Sequence, residues 1–153
     1  MVKIVAIALL STVFFGTTAF AADAVYGTWN LNVAKSKFSG TAPKSATRVY
    51  TESAEGTTLD QKIVGADGKE MSMHVTLAYD GKDRPMTGNP DADSGAGKAI
   101  NAHTSDFTLK RGGTVVGTVH RVVSADGKRL TVKNKGTHAD GTAYDDTLVF
   151  DKQ

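Results

Sequence analysis

The segment Met71-Ser72-Met73-His74-Val75-Thr76-Leu77-Ala78-Tyr79 alternates apolar with mostly polar residues, the two-residue period of a strand buried on one face. The same period recurs after Ala22 and predicts strands over Tyr26–Val33, Thr47–Glu52, Thr58–Val64, Met71–Tyr79, Arg84–Thr87, Ala99–His103, Asp106–Arg111, Thr114–Ser124, Arg129–Lys135 and Ala143–Phe150. No stretch longer than a turn or two carries the apolar stripe of a helix; Val33–Phe38 has room for one short turn. The breaks between strands agree with this reading. GADGKE at 65–70, YDGKDR at 79–84, SADGKR at 124–129 and HADGTA at 138–143 each set Asp-Gly between two predicted strands, and Gly112-Gly113 does the same. Such pairs serve hairpins whose two central residues take positive φ, so consecutive strands pair antiparallel. Their carboxylates read as turn chemistry, since none has a second acid at metal-ligand spacing.

An antiparallel meander of about eight to ten strands must bury one face and hide its edges, and closing into a barrel does both. The predicted fold class is therefore all-β, an up-and-down barrel. A β-sandwich is the alternative, although nothing in the order of turns calls for its long cross-over connections.

The first 21 residues have a different composition. Lys3 precedes an apolar run from Ile4 to Phe15, and Ala19-Phe20-Ala21 is a small-x-small cleavage pattern. This predicts a signal peptide over residues 1–21, cleaved after Ala21, with an uncut anchor as the alternative. Residues 22–153 are then a single domain without a transmembrane span, exported to a bacterial periplasm or secreted. The chain has no Cys, and without Lys3 its 18 basic side chains fall to 17, against 16 acidic. That balance excludes disulfide and thiol chemistry and gives no clustered basic face for nucleic acid.

Val25-Tyr26-Gly27-Thr28-Trp29-Asn30-Leu31 resembles the Gly-x-Trp opening of lipocalins and fatty-acid-binding proteins, in which a Trp sits at the closed end of an up-and-down barrel. The chain after the leader also resembles small exported bacterial lipocalin-like proteins, through Gly27-Thr28-Trp29, Leu31–Phe38 and Phe150-Asp151-Lys152-Gln153. Two departures bear on function. Fatty-acid-binding proteins carry a helical lid between their first two strands, whereas Ala34–Ala46 is short and contains Gly40 and Pro43. They also end on an Arg-x-Tyr that clamps a carboxylate, where this chain has Asp145-Asp146-Thr147-Leu148-Val149-Phe150.

Alternation predicts the barrel lining: Trp29, Leu31 and Val33; Leu59 and Ile63; Met71, Met73, Val75, Leu77 and Tyr79; Phe107 and Leu109; Val115, Val119 and Val123; Leu130 and Val132; Tyr144, Leu148 and Phe150. Arg111, Arg121 and Asp146 share that inward parity, and a charge on an apolar face must be paired or must meet something. Arg121 or Arg111 is the candidate receptor for a ligand carboxylate, with the tail along Met71, Met73 and Leu77, and with Phe107, Tyr144 and Asp146 completing the candidate site. The structural alternative has Arg121 stacked on Trp29 or paired with Asp146.

Catalytic and metal chemistry find little support. His74, His103, His120 and His138 lack partners at zinc-site spacing, and no nucleophile elbow is present. Gly88–Asn101, GNPDADSGAGKAIN, imitates two motifs and satisfies neither: a calcium loop begun at Asp91 has Ala96 and Ala102 where Gly and Glu belong, and a phosphate loop has Ala92 and Ala99 where Gly and a hydroxyl belong. It is expected to be a polar loop, long enough to act as a flap over the barrel mouth. The resulting reading is a monomeric, non-enzymatic protein without cofactor or metal, binding a small hydrophobic or amphipathic molecule in its interior. The alternatives are a filled barrel acting through its surface in the cell envelope, and a barrel enzyme with Asp146 or Tyr144 as its acid or base.

Overall fold

The computed structural model describes residues 22–153; the leader expected over residues 1–21 lies outside the described residues. After a helical turn, α1 at Ala22–Val25, the alternating segments form ten strands: β1 (Gly27–Leu31), β2 (Ser45–Ser53), β3 (Gly56–Val64), β4 (Glu70–Leu77), β5 (Arg84–Thr87), β6 (Ser94–Asn101), β7 (Thr104–Arg111), β8 (Thr114–Val123), β9 (Arg129–Thr137) and β10 (Ala143–Lys152). Each strand pairs antiparallel with its neighbour in sequence, and β1 closes the ring against β10. This is the closed meander that the hairpin signals and the Gly-x-Trp resemblance imply; the sandwich alternative does not occur. Among the described residues no helix is long and apolar enough to cross a membrane.

The barrel has a filled end and an open end. Val25, Trp29, Leu130, Val132 and Phe150 are all essentially inaccessible and pack with Tyr50, Leu59, Val75 and Val123. The Trp29 indole N–H donates to the Val25 carbonyl at 2.7 Å, so the turn of α1 satisfies the one polar atom of the plug. The β3–β4, β5–β6, β7–β8 and β9–β10 turns lie at the opposite end. Between β1 and β2 the chain makes a 3-10 turn at Val33–Lys35, capped by the Asn32 side chain, and then runs along β10. Lys37 and Thr147 exchange backbone hydrogen bonds there, at 2.7 and 2.9 Å. An extended strap thus stands where fatty-acid-binding proteins carry a helical lid.

Three expectations are corrected. The Asp residues of the Asp-Gly turns keep negative φ, and only glycine is positive, for example Gly68 at 84° and Gly141 at 90°. Gly68 and Gly141 each donate to the carbonyl three residues back, which fits a type I turn followed by a left-handed glycine rather than a mirror-image turn. The Asp carboxylates accept backbone N–H groups two residues on, in Asp67 to Lys69, Asp80 to Lys82, Asp126 to Lys128 and Asp140 to Thr142. Gly112-Gly113, with both φ positive, is the mirror-image case.

Val115, expected inside, is 56% exposed. Leu109 faces Gly117 while Lys110 faces Val115, so Val116 is an extra residue and the parity reverses beyond it.

The third correction is the segment 94–98, expected as loop, which is the first part of strand β6; the strand predicted over Ala99–His103 forms its end and stops at Asn101. What remains, Gly88–Asp93, is fastened: Asp93 accepts Gly112 N–H at 2.7 Å, and the Asp91 carboxylate accepts Ala139 N–H at 2.8 Å.

Candidate functional site: a cavity with two buried guanidiniums

Above the plug the barrel encloses a cavity of about 860 Å³, within the range of small-molecule sites. Its wall takes in Met71, Met73, Leu77, Phe107, Arg121, Tyr144 and Asp146, seven of the eight residues nominated from sequence. Arg111 is not part of that wall. Its Nη2 donates to the Asp91 carbonyl at 2.5 Å and approaches the Asp91 carboxylate at 3.7 Å.

Two arginines dominate the electrostatics. Arg121 on β8 is 3% exposed and Arg48 on β2 is 7% exposed. Arg48 was not among the candidates, although Ala46, Arg48 and Tyr50 are the three inward, buried positions of β2. Its Nε donates to Gln61 Oε1 at 2.6 Å, its Nη1 to the Tyr50 hydroxyl at 3.5 Å, and its guanidinium lies 4.7 Å from the Phe150 ring. Arg121 donates to the Tyr79 hydroxyl and lies over Tyr50, Phe107 and Tyr79, at 5.1, 5.0 and 5.7 Å from the ring centroids. It does not stack on Trp29, which has Lys152 at 5.0 Å, nor pair with Asp146. Among the described residues neither arginine meets a carboxylate within salt-bridge distance.

Tyr50 sits between these charges. Burial works to raise its pKa, but the neighbouring Arg48 and Arg121 guanidiniums outweigh it and hold the phenol below its ordinary value. Arg48-Val49-Tyr50 is an Arg-x-Tyr carried on β2; the one sought at the end of the chain is absent from β10.

Asp146 and Tyr144 serve the mouth. Asp146 accepts the Ser39 N–H at 2.7 Å and the Ser39 hydroxyl at 2.6 Å, pinning the strap to β10. The Tyr144 hydroxyl lies over the facing glycines Gly117 and Gly136, where a Cβ on either would come within 2.6 Å of it. Burial, and then the carboxylates of Asp91 and Asp146, push its pKa up. Gly97 in β6 does the same service for Phe107, its cross-strand partner: a Cβ there would stand 2.7 Å from the ring. The second glycine of SGAGK therefore seats an aromatic ring, while the first, Gly95, faces the Thr108 carbonyl, Met86 and Leu109.

Three of the four histidines meet carboxylates. His74 meets Asp60 and His120 meets Asp106, both at 2.6 Å and directly opposite in register, while His138 meets Asp91 at 2.7 Å. No sequence spacing shows these pairs, because strand register brings the first two together and the approach of the β5–β6 and β9–β10 turns the third.

No protein-family model matches the chain, and no curated protein matches it. Among solved structures it is similar to zebrafish ileal bile acid-binding protein complexed with cholic acid, with a TM-score of 0.48 at 11% identity, over 85% of this chain and 99% of that one. It is also similar to the siderocalin Ex-FABP, with a TM-score of 0.39 at 8% identity, over 85% of this chain and 74% of that one. The fold assignment here rests on the strand pairing itself.

Proposed function

We propose that this protein is a non-enzymatic binding protein for a small amphipathic anion, held inside the barrel as a 1:1 complex with the monomer. The observation that carries the proposal is the pair of buried guanidiniums, Arg48 and Arg121, in the wall of a mainly apolar cavity, with no carboxylate of the described residues within salt-bridge distance of either. Burying a charge costs several kcal/mol unless something neutralises it. An anionic head group entering the cavity would gain charge-assisted hydrogen bonds, while its tail covers Met71, Met73, Leu77 and Phe107. The volume of the cavity favours this reading over a filled barrel acting through its surface. The apolar run ahead of residue 22 supports an extracytoplasmic location.

Calorimetric titration with tetradecanoate and with the neutral alcohol tetradecanol tests the proposal. The acid should bind at least tenfold more tightly, given roughly 1.5–3 kcal/mol for hydrogen bonds to charged groups. Equal affinities, or no binding of the acid, would refute it.

A further inference from the structure

Four buried side-chain atoms among the described residues find no hydrogen-bond partner in the protein: Thr57 Oγ1, Ser105 Oγ, Arg121 Nη1 and Asn134 Oδ1. Arg121 and Asn134 belong to the wall of the cavity. They are neighbours on it. The β8–β9 register sets Arg121 opposite Val132 and Val119 opposite Asn134, so the two inward side chains lie on a diagonal, about 7–8 Å apart. Asn134 is the nearer to the mouth.

Their needs differ. A guanidinium only donates, whereas a carboxamide carries an acceptor and two donors. A plain fatty acid satisfies Arg121 through its carboxylate and then lays methylenes against Asn134, leaving the amide unmatched. A hydroxyl near the head group removes the mismatch. It can donate to Oδ1 or, with the amide turned over, accept from Nδ2, so it suits either orientation. A hydrogen bond at each end takes up about 3 Å of that diagonal, so the hydroxyl falls close to the carboxylate.

We infer that Asn134 is a second polar anchor and a specificity determinant, and that the ligand is an amphipathic acid of the 2- or 3-hydroxy class. This inference rests on the reading of Arg121 as the anion receptor.

Calorimetry of the full chain with 3-hydroxytetradecanoate and tetradecanoate tests it. The hydroxy acid should bind about tenfold more tightly, the usual consequence of leaving a buried polar group unpaired in the other complex. In Asn134→Leu the preference should be lost: tetradecanoate no longer meets an unmatched amide and should bind at least as tightly as to the parent, the hydroxy acid loses its partner, and the ratio falls to one or below. Retained binding of tetradecanoate also shows the site to be intact. If Asn134→Leu does not fold, Asn134→Ala makes the same comparison. Equal affinities in the parent protein, or a preference that survives substitution of Asn134, would overturn the inference and leave the anion site standing. Failure of both acids to bind would overturn the two readings together.

Discussion

The Arg121 guanidinium stands 5.1 Å from the ring centroid of Tyr50, and the hydroxyl of the same tyrosine accepts from Arg48 at 3.5 Å. Two cations therefore share one buried phenol. Aromatic faces offer each of them about 2 kcal/mol when desolvated, against a desolvation penalty of several kcal/mol per ion. Arg121→Met should leave the ligand-free protein as stable as the parent, or more stable by up to about 2 kcal/mol, while weakening binding of an amphipathic acid at least tenfold. Urea unfolding and calorimetry on the same preparations measure both. A loss of stability without a loss of affinity would make Arg121 a structural residue.

The Tyr50 phenol is held below its ordinary pKa by the two guanidiniums, against the opposing effect of burial. With the folded-state pKa depressed, the unfolded chain binds the proton more tightly, so this group's contribution to stability rises with pH from the folded-state pKa up to the unfolded one. It is lost again as pH falls through the folded value. In Tyr50→Phe that alkaline gain should disappear, together with the earliest-titrating phenolate band in the ultraviolet spectrum. A phenolate titration identical in the two proteins would contradict the assignment.

The strands were legible because each buries one face, so hydrophobic alternation and turn residues speak with one voice from Met71 to Leu77 and from Arg129 to Val132. Inward parity then placed Arg121, Phe107, Tyr144 and Asp146 on the cavity wall. Arg48 escaped because its apolar neighbour Val49 competes with it for the inward phase, and only the run Ala46, Arg48, Tyr50 decides between them. Val115 was misplaced by a bulge, which leaves no mark in the letters. The Gly-rich run of β6 looked like a loop because glycine is poor in strands. The reason for Gly97, the Phe107 ring opposite, is a contact across the sheet.

That contact can be tested directly. A Cβ at position 97 would stand 2.7 Å from the Phe107 ring and 2.8 Å from the Ala78 carbonyl oxygen. Gly97→Ala should lower stability by about 1–3 kcal/mol, the usual cost of overpacking, and adding Phe107→Leu should recover part of it. At Gly40 a Cβ meets nothing within 4 Å, so Gly40→Ala should stay within about 0.5 kcal/mol of the parent. Thermal unfolding of the three variants gives the comparison, and a neutral Gly97→Ala would show that the ring has room to move.

Asp91 ties the β5–β6 turn to the β9–β10 turn across the mouth. Its carboxylate accepts from Ala139 N–H at 2.8 Å and contacts His138 Nδ1 at 2.7 Å, with a side chain only 16% exposed. Asp91→Ala removes the acceptor of the exposed Ala139 N–H and the carboxylate 3.7 Å from Arg111, whose bond to the residue 91 carbonyl survives, and should cost about 0.5–1.5 kcal/mol. Asp140 also bonds within the β9–β10 turn but is exposed, so Asp140→Ala should cost less. Local opening should follow in the first variant alone, since the tie that holds the two turns together is gone. Hydrogen exchange at Ala139 should therefore accelerate in Asp91→Ala, while amides of the β9 core such as Val132 stay protected. Unchanged exchange at Ala139 would mean that the turn holds its shape without Asp91, and that the mouth is fixed by the strap and the strand register instead.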